Sequence, residues 1–153
     1  MRTHRLEREQ WFPRPAEEVF NFFGDAHNLD EITPPWLHFE VLTPRPIAMA
    51  PGTLIEYRLR LRGIRITWQT EITAWEPPVR FVDTQRRGPY RQWVHEHVFT
   101  PERGGTLMRD AVDYAVPGRI LEPLVHRLFV APDLRRIFDY RSEQLERRFR
   151  QEK

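Results

Sequence analysis

The chain has 153 residues, of which 40% are hydrophobic and 30% are charged, and its formal net charge is only +2. This composition predicts one domain over residues 1–153 and excludes a disordered chain. The lack of cysteine excludes disulfides, thiolate catalysis and cysteine-ligated metal centres. Because no stretch has the length and apolarity of a signal peptide or a membrane span, we expect a cytoplasmic protein without integral membrane association.

The amino-terminal residues predict a strand followed by a helix. Residues 3–12 favour an extended strand that Pro13 and Pro15 close. In the next stretch, PAEEVFNFF, Pro15 suits a first helical turn, the two glutamates favour its positive end, and the apolar residues form one face. Gly24 is expected to end this helix.

A second short helix and an extended stretch are expected next. Asp25 can cap a helical turn over Asp25–Glu31, and the prolines of TPP prevent its continuation. Trp36–Leu42 then predicts extended structure, and residues 43–52, with three prolines and a glycine, predict a packed loop.

Residues 53–115 change to an alternation of apolar and polar side chains, which is typical of strands with one buried face. The turn sequences RGI, PPV, RGP and PERGG divide this region into five strands. The pattern therefore predicts an antiparallel meander.

The remaining residues predict a helix with two apolar stripes, between which Pro132 should split or kink it. The stripes are Ile120, Leu121, Leu124, Val125, Leu128 and Phe129, and then Leu134, Ile137, Phe138, Leu145 and Phe149. We expect this helix to cover the apolar face of the curved sheet, which gives an α+β fold. Its arginines alternate with acidic residues, which indicates a solvated face, and no nucleic-acid partner is expected.

The stretch RQWVHEHVF, residues 91–99, carries the chemistry of greatest interest. His95 and His97 share an inward face with Trp93 and Phe99. On the next strand, the face that includes Asp110 is also expected to point inward, together with Met108, Val112 and Tyr114. A turn centred on Glu102 and Arg103 would set His95 opposite Asp110 or one step diagonal to it.

Such a pair has two interpretations. Asp110 could hold His95 as a general base or as a hydrogen-bond donor toward a ligand, or the two could be a satisfied polar pair that fills the core. The neighbouring opposite charge would raise the pKa of the histidine and lower that of the aspartate, whereas burial would shift each pKa in the opposite direction.

A metal site is a further option, because two histidines two positions apart on a strand point to one place. His27 and Asp83 are candidate third ligands, but their spacing does not require them to converge. The chain also lacks a phosphate loop, a nucleophile elbow and a dinucleotide fingerprint. We therefore expect no metal and no other cofactor.

The order of elements, and segments spread over nearly the whole chain, resemble the START/SRPBCC helix-grip superfamily and its bacterial ligand-binding group. The segments are PRPAEEVFNFFGDAHNLDEITPPWLHF, GTLIEYRLRLRGI, WQTEI, WEPPVRFVDTQRRGPYRQWVHEHVF, GGTLMRDAVDYAVP and LFVAPDLRRIFDYR. The resemblance implies a curved antiparallel sheet around a long carboxy-terminal helix, two short helices after the first strand, and a cavity for a lipid, polyketide or isoprenoid. The superfamily includes carriers as well as polyketide cyclases and dehydratases. Matching its D-x-Q, W-x-H-x-H and M-R-D segments selects Asp83, Gln85, Trp93, His95, His97 and Asp110.

We therefore expect a domain that binds a hydrophobic or amphipathic small molecule between the sheet and the helix. One alternative is a cyclase or dehydratase that uses His95 as acid and base and Asp110 to orient it. Another is a protein-interaction domain with a closed cavity, which an exposed apolar patch in residues 43–52 or 120–131 would favour. The expected ligand contacts are Tyr57, Leu59, Trp68, Asp83, Trp93, His95, His97, Met108, Asp110, Val112 and Phe138.

Overall fold

The computed structural model describes residues 2–151, which form a seven-stranded antiparallel sheet with a long carboxy-terminal helix. The spatial order of the strands is β1-β7-β6-β5-β4-β3-β2, so every neighbouring pair except β1 and β7 is consecutive in the chain. The expected α+β helix-grip fold and its five-stranded meander are confirmed. The strands are β1 (His4–Phe12), β2 (Glu40–Val41), β3 (Leu54–Leu61), β4 (Ile64–Glu76), β5 (Arg80–Arg87), β6 (Gln92–Glu102) and β7 (Gly105–Ala115).

Two short helices follow β1, as expected. Helix α1 (Ala16–Gly24) ends at the predicted glycine, and a 3₁₀ helix over Ala26–Ile32 follows it. The carboxylate of Asp25 accepts a hydrogen bond from the backbone N–H of His27 at 3.0 Å, which confirms Asp25 as the cap of the second helix.

The prediction of extended structure over Trp36–Leu42 is wrong for its first residues. Pro35–Leu37 forms a 3₁₀ turn, and only Glu40–Val41 pairs as a strand. The fixed φ angle of Pro35 suits the start of a helical turn, and His38, with φ of 49°, ends it in the left-handed conformation.

The hairpin between β6 and β7 turns one residue later than the sequence predicts. Arg103 and Gly104 have φ angles of 50° and 74°, as a two-residue hairpin turn requires, and Glu102 pairs with Gly105. His97 therefore lies directly opposite Asp110, and His95 lies opposite Val112. Of the two predicted arrangements for His95 and Asp110, the diagonal one is confirmed.

The carboxy-terminal helix changes its hydrogen-bond pattern before Pro132. A 3₁₀ turn (Arg119–Leu121) leads into helix α2 (Glu122–Val125), then into a π-helical turn (His126–Val130), and then into helix α3 (Ala131–Gln151). A proline lacks the N–H and crowds the carbonyl four residues earlier, and a π turn relieves both problems. The sequence predicts that Pro132 splits or kinks the helix, and the structure shows a π-helical turn just before this proline.

The first apolar stripe of this helix is exposed, contrary to expectation. Ile120 is 94% exposed and Leu121 is 62% exposed, and Leu124, Leu128 and Phe129 are about half exposed. The second stripe, on α3, faces the sheet and is largely buried, and only Val125 and Val130 of the preceding segment pack against the core. Helical spacing predicted an apolar face without indicating what would cover it.

Candidate functional site

A cavity of about 200 Å³ lies between α3, the short amino-terminal helices and the concave face of β3 to β6. Most of its wall is apolar, and the polar side chains lie together at one place. The lining residues from the expected ligand contacts are Tyr57, Leu59, Trp68, Asp83, Trp93, His95, His97 and Phe138.

Three of the expected ligand contacts do not line this cavity: Met108, Asp110 and Val112. All three face inward from β7 and are buried. Met108 packs in an apolar cluster with side chains of α1 and the end of α3, and Val112 packs against Leu134 and Phe138. The space in front of β7 is therefore filled, and these three side chains lie behind the cavity wall, so their contact with a ligand stays a prediction.

Asp110 lies at the centre of a buried polar cluster. Its Oδ1 is 3.0 Å from Nε2 of His95, 3.0 Å from Nδ1 of His97 and 3.2 Å from Nη2 of Arg141. The contact with Nδ1 of His97 has an angle too poor for a hydrogen bond, so the attraction there is electrostatic. On its other side, Nε2 of His97 lies 2.8 Å from Oδ2 of Asp83.

The two imidazoles of this cluster have opposite pKa shifts, although their rings stack at 3.7 Å. Burial lowers the pKa of His95, and the neighbouring His97 lowers it further. Burial also opposes a charge on His97, but the carboxylates of Asp110 and Asp83 outweigh it and raise the pKa of His97. His97 is thus the cationic member of the pair, and His95 is the neutral one.

The carboxylates keep their charge by the same balance. Burial alone would raise the pKa of Asp110, but Arg141 and the two histidines hold it well below its usual value. Asp83 follows the same pattern, since its hydrogen bond to His97 and the nearby cations outweigh burial and lower its pKa. Two carboxylates, one guanidinium and one imidazolium together give a cluster with no net charge.

His95 is the member of this cluster best placed to act on a guest. As a neutral imidazole it donates from Nε2 to Asp110, which leaves Nδ1 as a hydrogen-bond acceptor. Nδ1 takes part in none of the hydrogen bonds found among residues 2–151, and His95 lines the cavity.

Tyr57 adds a donor to the cavity wall. Burial, and then the charge of Asp83, raise the pKa of Tyr57, so its hydroxyl keeps its proton. Burial also raises the pKa of Tyr90, which lines the cavity beside Trp93. The hydroxyl of Tyr57 makes no hydrogen bond within the described chain and can donate to a guest.

Arg141 belongs to this polar cluster but was not selected from the sequence. It is buried, lines the cavity and lies over the rings of Phe23 and Phe138 at 5.1 and 5.7 Å. Its Nε has no hydrogen-bond partner among the described residues. The available signal was its position, since Arg141 occurs three residues after Phe138 and four before Leu145, on the inward stripe of α3.

Gln85, which the family resemblance also selected, holds the backbone of a turn. Its side-chain amide donates to the carbonyl of Tyr90 at 2.8 Å and accepts from the backbone N–H of Tyr90 at 3.3 Å. Gln85 thus fixes the turn between β5 and β6, which places Tyr90 in the cavity wall.

The geometry decides between the two candidate third ligands of a metal site. Asp83, His95 and His97 each offer a donor atom within 4.8 Å of the others, so their side chains could share an ion. His27 instead contacts the carbonyl oxygen of Thr43 at 3.1 Å. Because His97 and Arg141 already supply the positive charge of this cluster, an added cation would have to displace the proton of His97.

Within the described chain, no helix is long and apolar enough to cross a membrane. The apolar residues within 120–131, whose exposure would favour the interaction-domain alternative, are exposed. The interaction-domain alternative also assumed a closed cavity. The structure instead has a cavity of about 200 Å³, which does not fit that assumption.

A curved antiparallel sheet that grips a carboxy-terminal helix around an apolar cavity defines the helix-grip class of proteins. The family model for "Polyketide cyclase / dehydrase and lipid transport" matches residues 3–150, and the chain belongs to this family. The resemblance inferred from the sequence is thereby confirmed. A search of curated proteins finds no match.

Solved structures with the same fold come from bacteria and plants. The protein TTHA0849 from Thermus thermophilus is 21% identical over 95% of this chain and 97% of its own, with a TM-score of 0.72. Zhui aromatase/cyclase from Streptomyces sp. R1128 is 13% identical over 95% and 96%, with a TM-score of 0.68. Ginseng major latex-like protein 151 from Panax ginseng is 13% identical over 96% and 97%, also with a TM-score of 0.68. At these identities the likeness shows a shared fold alone, because proteins with one fold can have different activities.

Proposed function

We propose that the chain binds a small apolar or amphipathic molecule in the cavity between α3 and the sheet. The observation that carries this proposal is the cavity itself, an apolar space of about 200 Å³ with a compact polar group in its wall. Cavities of this kind, with few convergent polar groups, are the usual form of small-molecule sites.

The cavity volume limits the size of the guest. An apolar cavity of about 150 Å³ can hold a benzene-sized molecule, whereas pockets for drug-sized ligands span about 300–1,000 Å³. The present volume of about 200 Å³ therefore favours a guest of roughly one or two rings, or a short isoprenoid chain, over a complete lipid or a multi-ring polyketide.

The polar wall supports a guest that carries one oxygen function. The hydroxyl of Tyr57 would donate to a carbonyl or hydroxyl oxygen, and Nδ1 of His95 would accept from a hydroxyl group. The neutral balance of the surrounding cluster favours an uncharged guest, since an ion would enter a largely apolar space without a free counter-charge.

Filling the cavity tests this proposal. We expect the full chain to bind the neutral two-ring fluorophore 2-methoxynaphthalene, and Leu59→Trp, which projects a large ring into the cavity, to weaken that binding at least about tenfold. Glu56→Trp, on the outward face of the same strand, is the matched control and should leave binding unchanged. Equal binding by both variants would show that the probe lies elsewhere and would overturn the proposal, provided that circular dichroism shows both to be folded.

A second candidate function, cyclase or dehydratase chemistry, has a specific observation in its favour. A neutral imidazole, His95, lines the cavity and is oriented by a buried carboxylate, as in many general bases. In such a step Nδ1 of His95 would remove a proton from the carbon beside a ketone, the electron pair would form an enolate, and Asp110 would stabilise the resulting imidazolium. The Zhui aromatase/cyclase has the same fold, which makes this chemistry worth testing.

Proton exchange separates this function from binding alone. The small bicyclic ketone 2-indanone in D₂O should exchange its α-protons faster with the protein than in buffer, as followed by NMR. His95→Gln should reduce the rate by about 10²–10⁴-fold, the usual contribution of a general base, while the fluorophore still binds. Binding of 2-indanone without faster exchange would leave the carrier function and remove the enzymatic one.

A further inference from the structure

A second cluster of histidines and a carboxylate lies outside the cavity, where β1 meets the segment before α3. It contains His4 on β1, Glu122 in α2 and His126 in the π-helical turn. Each of these side chains offers a donor atom within 4.8 Å of the others. None of the three lines the cavity.

Glu122 is the central residue of this second cluster. It is the only acidic residue in 117–131, and it is buried while its neighbours in this segment are largely exposed. Its Oε1 lies 2.7 Å from Nε2 of His4, whereas its Oε2 lies 3.9 Å from Nε of Arg2, which is beyond hydrogen-bond distance. A buried carboxylate with one close partner retains lone pairs that favour a cation.

The two imidazoles stand side by side next to this carboxylate. The rings of His4 and His126 stack at 3.5 Å with an angle of 8° between their planes. Nε2 of His126 lies 2.7 Å from the hydroxyl of Tyr114, which fixes the orientation of the ring from behind. A second polar group that orients a histidine is common around metal ions.

We propose that His4, Glu122 and His126 bind a divalent transition-metal ion, with Zn²⁺ as the best fit. Two imidazole nitrogens and one carboxylate oxygen are a usual zinc donor set, and three protein ligands leave a fourth position for water. Zinc ligand atoms lie about 2.0–2.2 Å from the ion and therefore about 3.4 Å from one another in tetrahedral geometry. Nε2 of His4 and Oε1 of Glu122 are 2.7 Å apart, and one donor atom from each of the three side chains lies within 4.8 Å of the others, so the three are close enough to converge on one ion.

Binding has a defined proton balance and a structural consequence. The ion takes the place of the proton on Nε2 of His4, and the neutral imidazole then carries its proton on Nδ1, so no imidazolate forms. The ion would then join β1 to the helical segment 119–130, in which Glu122 is the only buried residue. The proposed role of the ion is to fasten this segment, and it is independent of the cavity.

The test uses the metal-free full chain and Zn²⁺ itself. Calorimetric titration should give one equivalent of bound zinc, and Co²⁺ should give the strong visible absorption of a four-coordinate site. Both His126→Ala and Glu122→Gln should weaken binding by more than about 100-fold, because changes to groups that merely support a ligand already reduce affinity about 10–100-fold. His38→Ala, at an exposed histidine on another part of the surface, is the matched control and should bind as the parent does.

Three results would contradict the proposal. The first is the lack of both calorimetric heat and cobalt absorption in the parent protein. The second is binding that survives in His126→Ala and Glu122→Gln, and the third is binding that only His95→Gln abolishes, which would place the ion at the cavity cluster. Thermal melts of all variants in the absence of metal separate a lost site from a lost fold.

Discussion

The molecule contains two stacked pairs of imidazoles in contrasting surroundings. His95 and His97 stack at 3.7 Å between two carboxylates and a guanidinium, and both are buried. His4 and His126 stack at 3.5 Å beside one carboxylate, and both are only partly buried. One stacked pair of imidazoles therefore belongs to an ionic network in which every charge is compensated. The other pair belongs to a site in which the charge of the carboxylate is only partly compensated.

The difference shows how neighbouring charges decide the chemistry of a histidine pair. Around Asp110, every charge has a partner of opposite sign, so the network is fixed and one histidine, His95, is left neutral toward the cavity. Around Glu122, one carboxylate oxygen lacks a close cation, and the pair remains available to an added ion. Substitutions that remove one charge at a time should therefore have unequal effects in the two places.

The largest effect is expected from Asp110→Asn. The amide keeps the shape of the side chain but leaves Arg141 and His97 buried with less compensation, so we expect a loss of about 3–5 kcal/mol in unfolding free energy. Asp113→Asn, the same change on the same strand, removes an exposed pairing with Arg5 and should lose less than about 1 kcal/mol. Urea denaturation of both variants measures the difference between the two losses in unfolding free energy. Equal losses would show that the buried charges around Asp110 do not make it more important for stability than the exposed Asp113.

A smaller loss is expected from Arg141→Met, which keeps the apolar stem of the side chain. Asp110 would retain both histidines, so we expect a loss of about 2–3 kcal/mol. Without the guanidinium the carboxylate should also draw a proton to His95, whose pKa should rise, as followed by NMR of the ring protons. Arg148→Met, on the same helix in a partly exposed pair with Glu31, is the control and should lose less than about 1 kcal/mol. An unchanged pKa of His95 would contradict the assigned role of Arg141.

The inward faces of β6 and β7 could be predicted from the sequence, because alternation along a strand needs no knowledge of distant contacts. The contact between His95 and Asp110 followed from it, although the turn at Arg103 and Gly104 lies one residue beyond the predicted one. The predicted turn and the observed turn both pair odd-numbered residues of β6 with even-numbered residues of β7. The same side chains therefore point inward in both registers.

Arg141 and the second cluster could not be predicted in the same way. A charged residue on a helix is normally read as exposed, so the position of Arg141 on the inward stripe of α3 was a weak signal, and its packing against Asp110 shows that it is buried. His4 and Glu122 are 118 positions apart, and their contact depends on how β1 and α2 meet, which no local spacing reports. Likewise, the stripe beginning at Ile120 has helical periodicity whether or not another element covers it.

The pH dependence of stability should separate the two members of the buried pair. The pKa of His97 is raised above its unfolded value of about 6.5, so its stabilisation is fully present below that pH and is lost as the pH rises through the folded pKa. The difference in unfolding free energy between the parent and His97→Gln should therefore shrink above about pH 6.5.

The matched substitution His95→Gln should show the opposite trend. The pKa of His95 is lowered, so its neutral form contributes stability that is lost as the pH falls below about 6.5 toward the folded pKa. Urea denaturation between about pH 5.5 and about pH 9 measures both trends. Parallel pH profiles for the two variants would show that the pair titrates as one group, contrary to the assignment of a cationic His97 and a neutral His95.

The smallest effect is expected from Glu122→Gln in the metal-free protein, although it is the same acid-to-amide change as Asp110→Asn and the site is also buried. The amide oxygen still accepts from His4, and no buried guanidinium is left uncompensated, so we expect a loss of about 0.5–1.5 kcal/mol. Added Zn²⁺ should raise the melting temperature of the parent but not that of Glu122→Gln, because an ion that binds only the folded state stabilises it in proportion to the logarithm of its concentration. Thermal melts with and without zinc measure both quantities. A metal-free loss as large as that of Asp110→Asn would mean that Glu122 is already as fully engaged as Asp110, and the two imidazole pairs would then differ in exposure alone.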